Sequence, residues 1–238
     1  MRNIVKVSLA GVLIAGALVS TKPASAAPSA LGAYPSTDVY GDGVFHFDVD
    51  TLSRNLTKNF GTSVGLQYGI GDKAEIGFDY NTSNLGDSFG ENISFNAKYK
   101  LVDGGEKGVT VAAGGYGLGK KQINGSAGYA NIGYVVASKN FDFGRIHLGV
   151  AHAFGDVEED DTSLTVSYDK YLTPKVQFAV DYYSGKAPYA GVQPSIYYSI
   201  NEKAGFGLGY LIFNNDAPNQ VYACFDYNFD FKKSAPAQ

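Results

Sequence analysis

The chain has 238 residues and a formal net charge of −4, from 19 basic and 23 acidic side chains. That balance argues against a nucleic-acid partner, whose binders carry basic faces. Cys224 is the only cysteine, so no intramolecular disulfide and no cysteine-type zinc site can form. The composition is unusual, with 30 Gly, 18 Tyr and 15 Phe but no Trp. Beyond the first thirty residues there is no apolar run of the ~20 residues that a membrane helix needs. If the chain crosses a membrane, it must do so as a closed barrel.

In chain order, Arg2 and Lys6 open a basic start, Val7 to Val19 form a short apolar run, and Ala24-Ser25-Ala26 supply the small residues of a peptidase site. Residues 1–26 read as a cleaved signal peptide. Loss of Arg2, Lys6 and Lys22 leaves 16 basic against 23 acidic residues, a formal charge of −7 for the mature chain. Residues 27–42, with their Pro, Gly and Ser, read as a poorly ordered periplasmic arm. From Gly43 onward, segments of alternating polarity predict strands at 43–52, 61–71, 74–82, 91–101, 107–117 and 126–138. Six more follow at 142–153, 162–172, 175–184, 189–200, 204–213 and 219–231, and residues 232–238 form a tail. The segment 107–117 has the weakest pattern, because Ala112 to Gly115 barely alternate.

The connections alternate as well. Those at 72–73, 102–106, 139–141, 173–174 and 201–203 are tight and rich in turn residues. Those at 53–60, 83–90, 118–125, 154–161, 185–188 and 214–218 are mostly longer. Short turns at one rim and longer loops at the other are the outer-membrane arrangement, so the expected fold is all-β, an up-and-down antiparallel transmembrane barrel of about twelve strands over residues 43–231.

Alternation does not say which face is inside; charge does. Asp48, Asp50, Glu75, Asp79, Lys98, Lys100, Arg145, Asp169, Asp181, Asp226 and Asp230 share the parity opposite to the aromatic face. A charge at the bilayer midplane costs roughly 2–4 kcal/mol, so this segregation suits an apolar surface facing lipid. The polar face is dominated by Gly, Ser, Asn and Asp rather than the Lys/Glu mixture of a solvated surface. Twelve strands enclose a backbone cylinder of roughly 24 Å, too wide to be filled as an apolar core. These charged residues are therefore the candidate lumen and selectivity set, and carboxylates outnumber cations in it, which predicts a mild cation preference. Tyr68, Tyr80, Tyr99, Tyr168, Tyr182, Tyr198 and Tyr210 near strand ends fit interfacial girdles.

Strand pairing should set Glu75 opposite Lys98 and Arg145 beside Asp169, as wall-stiffening ion pairs. Asp48, Asp50, Asp226 and Asp230 should gather at the seam between first and last strands, the best candidate for a selectivity patch. The acidic loop 156–161 matches no EF-hand spacing and reads as solvated. His152 has lipid-facing parity whereas Ser163 and Ser167 face inward, so no nucleophile and base are paired and no enzyme is expected. Neither a catalytic residue, a metal site nor a cofactor is expected. The Asn-x-Ser/Thr triplets at Asn55, Asn92 and Asn124 read as turn chemistry.

At the level of phrases the sequence resembles outer-membrane channel proteins of Gram-negative bacteria. The runs that carry this are VGLQYGIGDKAEIGFDYN (64–81), FNAKYKL (95–101), NIGYVVASK (131–139), FAVDYYSGK (178–186) and GFGLGYLIFNN (205–215). The resemblance implies a porin-like barrel, and it brings no catalytic or ligand-binding residue with it. Such barrels usually end on an aromatic residue read by the assembly machinery, whereas here seven residues follow Phe231. The expected function is passive diffusion of small hydrophilic solutes, the alternative a structural or surface-interaction barrel with a closed lumen. Outer-membrane lipid, lipopolysaccharide and the barrel-assembly machinery are the expected partners.

Overall fold

The structure is a computed structural model that describes residues 29–32, 34–54, 60–82, 93–119, 131–154, 160–187 and 189–231. The signal-peptide reading of 1–26, the tail 232–238 and most of the acidic loop 156–161 lie outside these residues.

The described residues form twelve strands: β1 Val44–Arg54, β2 Phe60–Ile70, β3 Ala74–Asn81, β4 Ile93–Val102, β5 Val109–Leu118 and β6 Ile132–Phe141. β7 Gly144–Ala153, β8 Thr162–Thr173, β9 Val176–Tyr183, β10 Gly191–Ser199, β11 Ala204–Phe213 and β12 Gln220–Asp230 complete the set. Each pairs antiparallel with its neighbours in sequence, and β1 pairs with β12 from Val44↔Asp230 to Arg54↔Gln220, closing the barrel. Closure leaves no edge strand, so each strand has a ladder on both sides. The weakly patterned segment is strand β5, and its pairing with β4 carries irregularities between Phe95 and Ala97 and between Lys100 and Val102.

Turn chemistry explains the short rim. Gly71 and Asp72 both have positive φ, 57° and 54°, and Lys73 N donates to Ile70 O at 3.2 Å, so β2 and β3 are joined by a type I′ turn. The other short connections, 103–108, 142–143, 174–175 and 200–203, fall at the same rim, where β1 starts and β12 ends.

Polarity is inverted relative to a soluble protein. Phe95, Tyr99, Leu148, Leu164, Phe206, Leu208, Phe225 and Phe229 are exposed, while Asp48, Glu75, Lys98, Asp169, Asp181 and Asp226 are buried. The outward apolar face is the one that a bilayer would cover.

The interior differs from expectation in one respect: it is filled. Of residues 27–42, expected as a periplasmic arm, the described ones (29–32 and 34–42) lie within the barrel, and Leu31, Tyr34, Thr37, Val39 and Tyr40 are buried there. The physical reason is composition. Two tyrosines and several aliphatic side chains gain more by packing on the inner wall than by staying in water. Replacing Leu148, outward and central in β7, with arginine should destabilise the barrel by about 2–4 kcal/mol. Urea-driven unfolding from lipid vesicles, read by heat-modifiable gel migration, measures this.

Candidate functional site

The inner wall is built by strand parity, and it places the expected pairs together. Glu75 and Lys98 are register partners on β3 and β4, with Lys98 Nζ 3.2 Å from Glu75 Oε1 and both side chains fully buried. Arg145 and Asp169 are partners on β7 and β8, and Arg145 Nε donates to Asp169 Oδ1 at 2.9 Å. Asp169 also accepts from Gln177 Nε2 at 2.9 Å and lies 2.9 Å from His147 Nε2. At the seam Asp48 and Asp226 face each other across β1 and β12, and Asp50, the register partner of Cys224, accepts from Tyr222 OH at 2.9 Å. Asp79 accepts from Asn96 Nδ2 at 3.1 Å, and Asp181 is buried on β9. Lys100 and Asp230 lie toward the short-turn rim, Asp230 at the rim end of the seam opposite Val44, and Lys100 Nζ is 3.6 Å from Asp103 Oδ2.

The segment 29–42 is the part that reading the sequence missed, and it forms a plug. It touches the wall on nearly every side, which only an object inside the barrel can do. Lys98 Nζ donates to the Ser29 and Asp38 carbonyls at 2.9 and 2.7 Å and to Ser29 Oγ at 2.7 Å. Ser29 Oγ in turn donates to Glu75 Oε2 at 2.9 Å, and Tyr40 N donates to the same oxygen at 3.0 Å. Arg145 Nη2 is 2.8 Å from Asp38 Oδ2, so one guanidinium joins the wall carboxylate Asp169 to the plug. Thr37 Oγ1 meets Ser138 Oγ of β6. A bridge between Ala30 and Pro35 folds the plug back on itself, and a Cβ placed on Gly32 would meet Asp181 Oδ2 and Ser195 Oγ at 2.9 Å on the far wall.

Two apolar clusters seat the plug. The Tyr34 ring stands edge-on to Tyr183 at 5.0 Å and to Tyr134 at 6.2 Å, among Ile132, Val136, Ala187 and Tyr189. Leu31 packs with Ala179, Tyr197, Tyr222 and Cys224. Tyr40 stacks on His46, centroids 4.3 Å apart and planes at 18°. Burial pushes the Tyr40 hydroxyl well above its ordinary range, with Glu75 and Asp48 adding repulsion, so this ring stays neutral. At the plug's base, Asp42 N donates to Asp72 Oδ1 at 2.8 Å and Gly71 N to Asp42 Oδ1 at 2.9 Å, tying it to the first short turn.

Between plug and short-turn rim lies a cavity of about 1090 Å³, lined among others by Asp38, Lys100, Arg145, Asp169, Lys170 and Asp230. On the other side of the plug, toward the long loops, Tyr116 OH and Tyr183 OH lie 3.0 Å apart and Tyr189 OH donates to Asp161 O at 3.4 Å. The lumen therefore has a polar vestibule, a plug, and a tyrosine-filled outer half. Among the described residues no group of three His, Cys, Asp or Glu side chains could hold a metal ion. Ser163 and Ser167 are buried inside while half-exposed His152 bonds Thr162 Oγ1 at 2.8 Å.

No family model matches the sequence, and no curated protein does. Among solved structures the chain is similar to a KdgM porin at a TM-score of 0.53 and 10% identity, over 77% of this chain and 99% of that one. A KdgM porin in complex with disordered oligogalacturonate matches at a TM-score of 0.51 and 8% identity, over 77% of this chain and 99% of that one. At these identities the likeness is one of fold. The chain has a porin-like barrel.

Lys98 is the side chain that binds the plug to the wall most densely. Replacing it with methionine leaves Glu75 buried without its cation, so stability should fall by about 3–5 kcal/mol. The plug should also become cleavable by added protease at residues 29–42, read by mass spectrometry of the folded barrel.

Proposed function

We propose that the protein is an outer-membrane channel for small hydrophilic solutes, with a mild cation preference and an N-terminal plug that keeps it shut in the described state. The observation that carries this reading is the nature of the plug's attachment. Apart from the backbone bonds at its base, the plug is held among the described residues by side-chain hydrogen bonds, an ion pair to Arg145, apolar packing and ring contacts, not by strand pairing to the wall. It can therefore leave without opening the ladder of the barrel.

The charge reading rests on the wall and plug together. Asp38, Asp48, Asp50, Glu75, Asp79, Asp169, Asp181, Asp226 and Asp230 face the interior, against Lys98, Lys100 and Arg145. Such a lining attracts cations and resists a polyanion such as the oligogalacturonate found in complex with one structural neighbour. The filled lumen also supports the second reading, a structural barrel that does not conduct, since the plug and Tyr183 close it as described.

Purified protein in planar bilayers tests both. Deleting residues 29–40 should raise conductance several-fold while the barrel stays heat-modifiable, and reversal potentials in a KCl gradient should favour K⁺. Silence of the deletion variant would establish the structural role, and anion preference would overturn the charge reading.

A further inference from the structure

The seam between β1 and β12 holds a cluster that ion pairing in the wall does not explain. His46 is fully buried, and its Nδ1 donates to Asn228 Oδ1 at 2.7 Å. That bond sets the tautomer, so Nε2 of the neutral ring presents a lone pair. It points at Asp48 Oδ2, 3.7 Å away, and at Asp226 Oδ1, 3.8 Å away. His46 Nε2 and Asp226 Oδ1 have no hydrogen-bond partner and no exposure, and the equally buried Asp48 carboxylate has only the Gln67 amide beside it. Four acceptor atoms converge, and the only donors beside them among the described residues are the Gln67 amide next to Asp48 and the Cys224 thiol on the other Asp226 oxygen, neither of which brings a positive charge.

The surroundings make this worse. Asp50 on β1, Asp79 on β3 and Glu75 on β3 are the other acidic groups within electrostatic reach of the cluster or of the Tyr40 ring above it. Cys224 and Tyr222 on β12 and Tyr197 on β10 are further titratable neighbours, with the Cys224 thiol donating to Asp226 Oδ2 at 3.6 Å. The nearby cation Lys98 is engaged by Glu75 and the plug, and Arg145 by Asp169 and Asp38. Gly65 leaves the niche in which the Asp48 carboxylate sits, since a Cβ there would overlap it. Two adjacent buried carboxylates facing a lone pair cannot both be ionised at a tolerable cost.

We infer that the triad His46, Asp48 and Asp226 holds a proton while the plug is seated, and that losing it as pH rises frees the plug. The proton rides on one carboxyl oxygen, whose O–H is directed toward His46 Nε2. On release it passes to water, leaving two carboxylates. Their solvation needs water at the seam, and Tyr40 stacked on His46 is the lid that excludes it. The seated state keeps the proton and the hydrated, plug-out state gives it up, so acid favours closure and alkali favours opening. This proton latch rests on the gated-channel reading for its purpose, but its chemistry can be measured without any conductance.

Thr37, buried in the seated plug, gives the reporter. Thr37→Cys protein, folded in detergent, is labelled with a water-soluble maleimide from about pH 5.5 to about pH 9, with the parent holding only buried Cys224 as the blank. The same reporter is placed in Asp48→Asn/Asp226→Asn, which keeps the shape of the neutral carboxyls and cannot ionise. The ratio of the two rates at each pH cancels the thiol's own titration. It should be near one at the acid end and rise to the order of tenfold at the alkaline end. A ratio that stays flat overturns the latch, whatever the bilayer shows. If the double variant does not fold, Asp226→Asn alone gives the same comparison with the same two outcomes. A rising ratio in a protein that never conducts would sink the transport reading and leave the latch standing.

Discussion

Hydrocarbon offers no hydrogen bonds, and a strand crossing it must satisfy every amide on a neighbouring strand. The pairing of β1 with β12 closes that account, and the rest of the molecule follows from it. A closed ring of twelve strands turns one side-chain parity to lipid and the other inward. Phe95, Leu148 and Phe225 can then be exposed without penalty, and Asp48, Glu75 and Asp169 can be buried without forming a conventional core. The wide bore leaves a second problem, an interior of carboxylates that must be neutralised or wetted. The plug answers part of it by lending Ser29, Asp38 and Tyr40 N to the wall's ionic groups.

The plug and the wall form one network rather than a cork in a bottle. Arg145 bridges Asp169 and Asp38, and Lys98 bridges Glu75 and two plug carbonyls, so each wall ion pair has a third member that belongs to the plug. Removing the plug leaves those pairs intact but under-coordinated, with water as the natural replacement. Seated and unseated states then differ by exchanged hydrogen bonds rather than by lost ones, which keeps their energies close. Away from these hubs, the seam triad meets the plug through the Tyr40 ring.

The barrel was legible in the sequence because its signals are local. Alternation at Ile76, Phe78 and Tyr80, and the Gly-Asp turn before them, give strand, face and turn from adjacent residues. The Glu75–Lys98 and Arg145–Asp169 pairs followed from strand order and loop placement, and so did the carboxylates of the seam. The plug was not legible, because its contacts run from Tyr34 to Val135 and from Asp38 to Arg145, about a hundred residues apart, with no periodicity to announce them. The clue was the apolar content of Leu31, Tyr34, Val39 and Tyr40, too high for a stretch meant to stay in water. The inward tyrosines were hidden for a related reason: Tyr134, Tyr183, Tyr197 and Tyr222 occupy the polar parity, where aromatic content was read as lipid-facing.

Glycine on the inner face settles how much room there is. At Gly65, Gly149, Gly207 and Gly209 the space of a missing Cβ is taken by Asp48, Tyr34, Tyr197 and Ser195 from other parts of the chain. The internal calibre is thus set by where the wall has no side chain, and each such gap is matched to one particular guest. A lineage that exchanged Gly149, Gly207 or Gly209 for alanine would reshape its passage step by step while leaving the lipid face untouched, whereas at Gly65 the same exchange would displace Asp48. Size exclusion and charge preference can therefore drift separately in this architecture, since they are encoded at different positions of the same strands.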